Sequence, residues 1–179
     1  MINPFIIGER IYLRALVESD VDGGYSAWLN DPEVNRFNSH GRFPKSQEEL
    51  LNYVKSVRKN NTIVVLAVID KTNNEHIGNI SLQSISWIDR SADLAFLLGN
   101  TSYAGKGYMY DAGTLIIQHA FKILNFRRIT CGTSSENIGM LKLAEKLGFK
   151  KEGIRREALY KHGTFYDIIE FGLMANEWD

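Results

Sequence analysis

Hydrophobic and polar residues recur along the chain at two spacings, and each spacing predicts a different element of secondary structure. Apolar residues at every second position, or in short β-branched runs, indicate strands. Seven segments have this character: residues 10–16, 62–69, 76–86, 91–98, 128–133, 149–160 and 164–174. Apolar residues three or four positions apart indicate amphipathic helices. Four segments show that spacing: residues 19–29, 46–57, 107–124 and 136–147.

Polar residues at the ends of the helical segments support these assignments. Ser46 with Glu49 has the spacing of a capping box, in which two side chains bind free main-chain N–H groups of the first turn. Ser19 with Asp22 has the same spacing before the first helix. Gly148, directly after the fourth helix, suits the left-handed conformation that often ends a helix. The order of strands and helices predicts an α/β or α+β sandwich around a central, partly antiparallel sheet.

The composition narrows the class of protein. The chain has 179 residues, 44% of them hydrophobic and 23% charged, which indicates one folded domain over residues 1–179 rather than a disordered chain. The 21 basic and 21 acidic side chains balance, so we expect no nonspecific binding to nucleic acid or anionic lipid. No basic stretch followed by a long apolar run lies near Met1 and no run approaches 18 apolar residues, so we expect neither a signal peptide nor a membrane span. The single cysteine, Cys131, excludes an internal disulfide, so we expect a cytoplasmic protein.

Two glycines flank a lysine at residues 105–107, between a predicted strand and a predicted helix. Glycine lets the backbone turn tightly and lets an anion approach the N–H groups, and the first N–H groups of a helix have no partner within it. The helix macrodipole adds positive potential there, so the segment can cradle a phosphate. It matches neither the P-loop nor the three-glycine dinucleotide pattern. A loop that needs glycines only for its shape is the alternative.

Two polar residues near this loop admit both a structural and a functional interpretation. Asp93 is the one acid in the apolar strand over residues 91–98, and it either faces solvent or points into a cleft as a general base. Asn137, at the start of the fourth helix, either caps that helix or hydrogen-bonds the amide groups of an extended ligand. The four histidines are scattered along the chain, so we expect no metal site.

Several motifs together resemble the Gcn5-related N-acetyltransferases, the GNAT family. The similarity is greatest to the branch that groups ribosomal-protein alanine acetyltransferases with spermidine acetyltransferases. The motifs that carry it are Gly-Lys-Gly-Tyr at 105–108, Glu-Asn at 136–137, Glu-Lys-Leu-Gly-Phe at 145–149, the closing hairpin over 155–178, Gly-Glu-Arg-Ile-Tyr-Leu-Arg at 8–14 and Trp-Leu-Asn-Asp-Pro-Glu-Val at 28–34.

The resemblance implies a mixed, mostly antiparallel sheet of six to seven strands, splayed between the fourth and fifth strands, with about four helices on its two faces. It also implies acetyl-CoA as co-substrate, held between residues 91–98 and 128–133 with its pyrophosphate on the glycine loop. The residues implied for coenzyme binding are Phe96, Leu97, Leu98, Ala104, Gly105, Lys106, Gly107, Tyr108, Met109 and Asn137. Asp93 falls where many members carry a glutamate that assists deprotonation of the amine.

The chain departs from the family pattern at the expected general acid. Ala144 stands where many relatives carry the tyrosine that protonates the leaving thiolate. Ser134 is the candidate acid in its place, with Ser135, water or no group as alternatives, because a thiol is acidic enough to leave with little help. Met109 and Met140 replace the residues usual at their positions. These departures leave a second hypothesis, an acyl-CoA-binding sensor or interaction module with little or no turnover.

The predicted reaction is direct transfer of an acetyl group to a primary amine in a ternary complex. The acceptor is a small molecule or a peptide, with a protein N-terminus, a polyamine and an amino sugar as alternatives. Trp28, Asn35, Arg36 and Tyr160 are the candidates for binding it, although packing in the core or at the rim also explains Trp28 and Tyr160. The final hairpin also offers an edge for a homodimer.

Overall fold

The structure is a computed structural model that describes residues 1–178. Within that range it contains the strands β1 (Ile6–Ile7), β2 (Ile11–Ala15), β3 (Val64–Asp70), β4 (His76–Ser86), β5 (Ser91–Leu98), β6 (Arg128–Ser134), β7 (Lys150–Lys161) and β8 (Thr164–Met174). The α-helices are α1 (Ser26–Asn30), α2 (Gln47–Val57), α3 (Tyr108–Lys122) and α4 (Ile138–Lys146). A π-helical turn, Val21–Tyr25, leads into α1. Asp179, the last residue of the predicted domain, lies outside the described range.

All of these strands form one mixed sheet in the order β1-β2-β3-β4-β5-β6-β8-β7. Every neighbouring pair is antiparallel except β5 and β6, which are parallel. The prediction of a mixed, mostly antiparallel sheet with about four helices is confirmed. The predicted strand number, six to seven, falls short of the eight described strands. The difference is β1, whose two residues are too few for alternation to reveal.

β5 and β6 separate soon after they meet. Their pairs within the described chain are Ser91–Arg128, Ala92–Ile129 and Asp93–Thr130. β5 stays paired with β4 as far as Leu98, so the side that faces β6 has no strand partner from Leu94 onward in the described residues. This is the divergence expected between residues 91–98 and 128–133, and it opens a gap in the middle of the sheet.

The helices cover both faces of the sheet and create a core on each side. On one face, Ile116 of α3 belongs with Leu94 of β5 to a buried cluster that also includes α4. On the other face, Val54 of α2 packs in a second cluster with Ile69 of β3. Among residues 1–178, no helix combines the length and the apolar character needed to span a bilayer.

Of the two expected capping boxes, one is present. At α2, Ser46 Oγ accepts the N–H of Glu49 at 3.2 Å, and the Glu49 carboxylate accepts the N–H of Ser46 at 2.9 Å. The box expected from Ser19 and Asp22 is wrong, because the turn Val21–Tyr25 begins without a capping side chain. Asp22 instead accepts a hydrogen bond from the Gln47 side chain, which fastens this turn to α2.

A tertiary ion pair explains how the first helical segment begins. The Asp20 carboxylate accepts hydrogen bonds from the Arg14 guanidinium at 2.6 and 2.8 Å and from the Val17 N–H at 2.8 Å. Both charged side chains are buried. Arg14 lies on β2, and a spacing rule within the helix cannot detect a partner on a different element.

Candidate active site

A cavity of about 590 Å³ lies in the gap between the diverging strands. Its walls come from β5, the loop before α3 and its first turn, the end of β6, α4 and the loop after α1. The helix ends and the unpaired side of β5 bring main-chain polar groups to walls that are otherwise largely apolar. Small-molecule sites usually have this combination.

The glycine loop passes through left-handed conformations just before α3. Gly105 has a φ of +71° and Gly107 a φ of +84°, values that favour glycine. Within residues 1–178, no protein acceptor is present for the main-chain N–H groups of Gly105, Gly107, Tyr108, Met109 and Tyr110. Lys106 differs, since its N–H donates to the Tyr103 carbonyl at 3.4 Å. The main-chain donors of the predicted cradle are thus available except at Lys106.

The lysines that line the cavity are not the one that the sequence indicated. Lys106 lies outside the lining, with its ammonium 5.9 Å from the centre of the Tyr103 ring. Lys142 and Lys146 of α4 line the cavity instead, and the Lys146 ammonium lies 4.3 Å from the centre of the Tyr110 ring. Their spacing of four residues places them on one side of α4. This spacing alone does not predict a ligand site, because the sequence does not show that α4 faces the loop.

The predicted residues of β5 lie along the same cavity. Phe96, Leu97 and Leu98 line it, and so does Ala104 in the following loop. The main-chain groups on the unpaired side of β5 can hydrogen-bond an extended amide ligand as a neighbouring strand would. Met109 also lines the cavity and packs against the core on the α3 face.

Asp93 lies at the vertex of the gap, in its last β5–β6 pair, and lines the cavity. Thr130 Oγ donates a hydrogen bond to Asp93 Oδ1 at 3.1 Å. Burial raises the pKa of Asp93 above its usual range, the Thr130 hydrogen bond opposes that rise, and the nearby Glu170 carboxylate adds to it. A carboxylate with a raised pKa accepts a proton more readily, so this position suits a general base.

Asn137 combines the two interpretations that the sequence left open. Its Oδ1 accepts the N–H of Met140 at 3.2 Å, which caps α4, and its Nδ2 donates to Thr133 Oγ1 at 3.1 Å. The residue also lines the cavity. An amide nitrogen carries two hydrogens, so one donor remains for a ligand after the bond to Thr133.

Ser134 does not face the cavity. Its side chain is 1% exposed, and its Oγ accepts the N–H of Glu136 at 3.3 Å. Ala144 of α4, at the position where many relatives carry a tyrosine, is buried in the core that α3 and α4 share. The geometry therefore does not support Ser134 as a proton donor. The sequence does not show which face of β6 this hydroxyl occupies.

None of the four acceptor candidates lies among the residues that line the cavity. Asn35 is fully buried, and its amide donates to the carbonyls of Trp28 at 2.7 Å and Asp31 at 2.8 Å. The Tyr160 ring packs against Phe165 at a tilt of 50°, with 4.8 Å between ring centres. These contacts give Asn35 and Tyr160 structural roles.

Trp28 and Arg36 are also held by the protein itself. The Trp28 indole packs edge-on against the His76 ring, 4.9 Å between centres, and the Arg36 guanidinium lies 5.2 Å from the centre of the Phe37 ring. The cavity wall is formed instead by their neighbours in the loop, Val34, Phe37 and Asn38. The correct loop was predicted, but its side-chain directions have no periodic pattern that the sequence could reveal.

The β7–β8 hairpin fixes this loop. The Lys161 ammonium is buried and donates to the main-chain carbonyls of Asn38 and His40, both at 3.1 Å. The Arg42 guanidinium adds a bond to the Tyr160 carbonyl at 3.3 Å. Lys161, for which the sequence contains no local signal, holds the cavity wall in place without lining the cavity.

Cys131 is buried and does not line the cavity. Burial raises the pKa of the Cys131 thiol to about 12, and the carboxylates of Asp93 and Glu170 add to the rise. The thiol is therefore protonated and a poor nucleophile at neutral pH. Among residues 1–178, no group of three or more potential ligands is arranged to hold a metal ion.

The chain is similar to several known proteins. The acetyltransferase (GNAT) domain matches residues 10–150. The uncharacterized N-acetyltransferase p20 of Bacillus licheniformis is 27% identical over 95% of this chain and 96% of its own. The putative ribosomal N-acetyltransferase YdaF of Bacillus subtilis is 28% identical over 57% of this chain and 55% of its own. The crystal structure of spermidine N-acetyltransferase from Vibrio cholerae in complex with CoA and spermine has the same fold, with a TM-score of 0.87, 23% identity and coverage of 95% of this chain and 98% of that one.

Proposed function

The chain belongs to the GNAT acetyltransferase family, and we propose that it acetylates a primary amine directly, with acetyl-CoA and the amine bound at the same time. The protein is an acetyl-CoA-dependent N-acetyltransferase by family and by the relatives it matches. The alternative, an acyl-CoA-binding module with little or no turnover, predicts CoA binding without release of thiol. The observation that carries the proposal is the position of Asp93 at the vertex of a cavity that also contains the glycine loop.

The residues of the cavity fit the coenzyme. The available N–H groups of Gly105 and residues 107–110 suit a diphosphate, and the ammonium groups of Lys142 and Lys146 add positive charge beside them. The unpaired side of β5 and the amide of Asn137 suit the pantetheine arm, whose amides need both donors and acceptors. Acetyl-CoA supplies a thioester, an acyl group that an amine attacks readily once positioned.

Asp93 is the proposed general base. An alkylammonium group has a pKa near 10, so the acceptor must lose a proton before its nitrogen can attack. Asp93 takes this proton directly or through a water molecule, and its side chain, one methylene shorter than that of glutamate, favours the water. As the new C–N bond forms, the C–S bond breaks, the nitrogen releases its second proton to solvent, and the thiolate leaves. The thiolate then takes a proton from solvent, because Ser134 does not face the cavity.

We propose that the amine acceptor binds against the wall on the other side of the cavity. Val34, Phe37 and Asn38 offer an apolar surface with one amide group. Such a wall suits a protein N-terminus, a polyamine or an amino sugar, and relatives are named for ribosomal and spermidine acetylation. We also propose that the protein works in a reducing cytoplasm. We further propose that it forms a homodimer through β7, the edge strand of the sheet, on which Ile154 is exposed.

The test is release of free thiol from acetyl-CoA in the presence of a panel of amines. The panel contains peptides with different N-termini, spermidine, spermine and glucosamine, and product masses confirm N-acetylation. Asp93→Asn should keep its affinity for CoA and lose at least about 100-fold in kcat/KM. Asp89→Asn is the matched control, because Asp89 lies in the exposed bend between β4 and β5. Full activity of Asp93→Asn across the pH range would refute the assignment of the base.

A further inference from the structure

Arg10 connects three parts of the molecule around the glycine loop. Its Nη1 donates to the Lys106 carbonyl at 3.0 Å, and its Nε and Nη2 lie 2.8 and 2.7 Å from Asp111 Oδ2. The guanidinium also lies 4.7 Å from the centre of the Tyr108 ring. Arg10 does not itself line the cavity. It therefore contacts the loop, the first turn of α3 and a cavity-lining ring from outside the site.

Gly107 makes this approach possible. A Cβ atom at Gly107 would lie 3.1 Å from Arg10 Nη2, and the residue has a φ of +84°. A side chain there would thus be strained by its backbone and would crowd the guanidinium. The absence of a side chain at Gly107 serves the contact with Arg10 as well as the approach of a ligand to the backbone.

Asp111 presents an electrostatic conflict at the site. A carboxylate in the first turn of a helix stabilises that helix, because it faces the positive end of the macrodipole. The same negative charge repels an anionic ligand at the same helix end. In this chain, the carboxylate lies one turn from the available N–H groups of residues 107–110. A cation paired with Asp111 offsets this repulsion, and Arg10 occupies that position, with its Nη2 2.7 Å from Asp111 Oδ2.

The contact with Lys106 adds an orientation effect. A peptide unit has its carbonyl and the following N–H on opposite sides. When Arg10 holds the Lys106 carbonyl outside the cavity, the N–H of Gly107 in the same peptide unit points the other way. The Gly107 N–H is one of those without a protein acceptor in the described chain.

We propose that Arg10 is a positioning residue for the diphosphate of acetyl-CoA: it neutralises Asp111 and turns the Gly107 N–H toward the ligand, without touching the ligand itself. The inference rests on the proposed coenzyme site. It assigns control over coenzyme affinity to a residue directly before β2, in a bend that has no part in the chemistry. A merely structural role would instead lower stability and weaken every ligand alike.

Binding measurements with two ligands test the inference. CoA carries the diphosphate and pantetheine lacks it, and isothermal titration gives a Kd for each without any acceptor or turnover. Arg10→Ala should raise the Kd for CoA about tenfold and leave the Kd for pantetheine within about twofold. The Arg10→Ala/Asp111→Asn double variant should recover at least half of that loss on a logarithmic scale, because the uncompensated carboxylate is gone.

Two further variants keep the test decisive. Asp111→Asn alone should bind CoA as tightly as the wild type or more tightly. This variant tests the inference even if the Arg10→Ala protein does not fold. Arg58→Ala is the matched control, because Arg58 also donates to a main-chain carbonyl, that of Leu16, at a place outside the cavity. Its Kd values for both ligands should match the wild type.

The outcomes separate this inference from the function on which it rests. Equal losses for CoA and pantetheine, a double variant no better than Arg10→Ala, or weaker CoA binding by Asp111→Asn would each overturn the inference alone. Wild-type protein that fails to bind CoA would overturn the proposed site itself. A CoA-specific loss that Asp111→Asn reverses would support the inference.

Discussion

Replacing Thr130 with valine should move the pH dependence of the reaction without removing the base. Thr130 Oγ donates to Asp93 Oδ1 at 3.1 Å, a bond that favours the ionised carboxylate and opposes the effect of burial. Valine has nearly the same shape, suits a strand, and has no hydroxyl. In Thr130→Val the protonated carboxyl is therefore favoured further, and its pKa rises.

The size and sign of the effect follow from that one hydrogen bond. A bond of this kind contributes about 1 kcal/mol net, and 1.36 kcal/mol corresponds to one pH unit. A general base works when deprotonated, so the rate rises as pH increases through the pKa of the base. The rising limb of kcat/KM should thus move to higher pH by roughly 0.7 of a unit in Thr130→Val, with little loss on the plateau above it.

The assay is kcat/KM for acetyl transfer at saturating acetyl-CoA from pH 4 to pH 9, compared among wild type, Thr130→Val and Asp93→Asn. Thr164→Val is the control, since it changes a strand threonine that makes no bond to Asp93. An unchanged limb or a shift to lower pH in Thr130→Val would refute the reasoning about this bond. A limb that persists in Asp93→Asn would show that another group takes the proton.

Three other substitutions probe the coenzyme, the acceptor wall and the core. Lys146→Gln should raise the Kd for CoA about fivefold at low salt, with the difference shrinking as ionic strength rises, whereas exposed Lys122→Gln should change nothing. Lys161→Met should raise KM for the amine about fivefold and leave KM for acetyl-CoA unchanged, because the loop around Asn38 loses its anchor. Asp20→Asn should lower the free energy of unfolding by about 3 kcal/mol in urea titrations, because it leaves the Arg14 guanidinium buried without an anion.

The sequence predicts this fold well where a short stretch of chain decides the outcome. β4, β5 and β8 have the bounds that alternation and turn residues indicate, His76–Ser86, Ser91–Leu98 and Thr164–Met174. The capping box at Ser46 is also local, and it is present. The capping box predicted from Ser19 is wrong, and Asp20 is instead bound by Arg14, a residue of β2. Local patterns do not contain information about such distant partners.

The same distinction applies to the site. The glycine loop uses main-chain groups, so its spacing and its position before a helix were enough to predict available donors. Position in the sequence predicts Lys106 and Asn35 as site residues, but side-chain direction decides whether a residue reaches a cavity, and neither lines it. Lys146 and Asn38 reach it because α4 and the loop after α1 fold back over the gap, which no single segment specifies.

The position of Asp93 depends both on the local pattern of its strand and on a contact with a distant strand. Residues of a strand alternate between its faces, so Asp93 lies opposite to Ala92 and Leu94, both of which are buried in the core beneath α3. A shift of one residue in the pairing of β5 would bury the carboxylate there and expose the two apolar side chains. The apolar pattern that predicts the strand therefore also fixes the face of its one acid. The pairing with Thr130 then supplies the hydrogen bond and marks the last contact before the strands diverge.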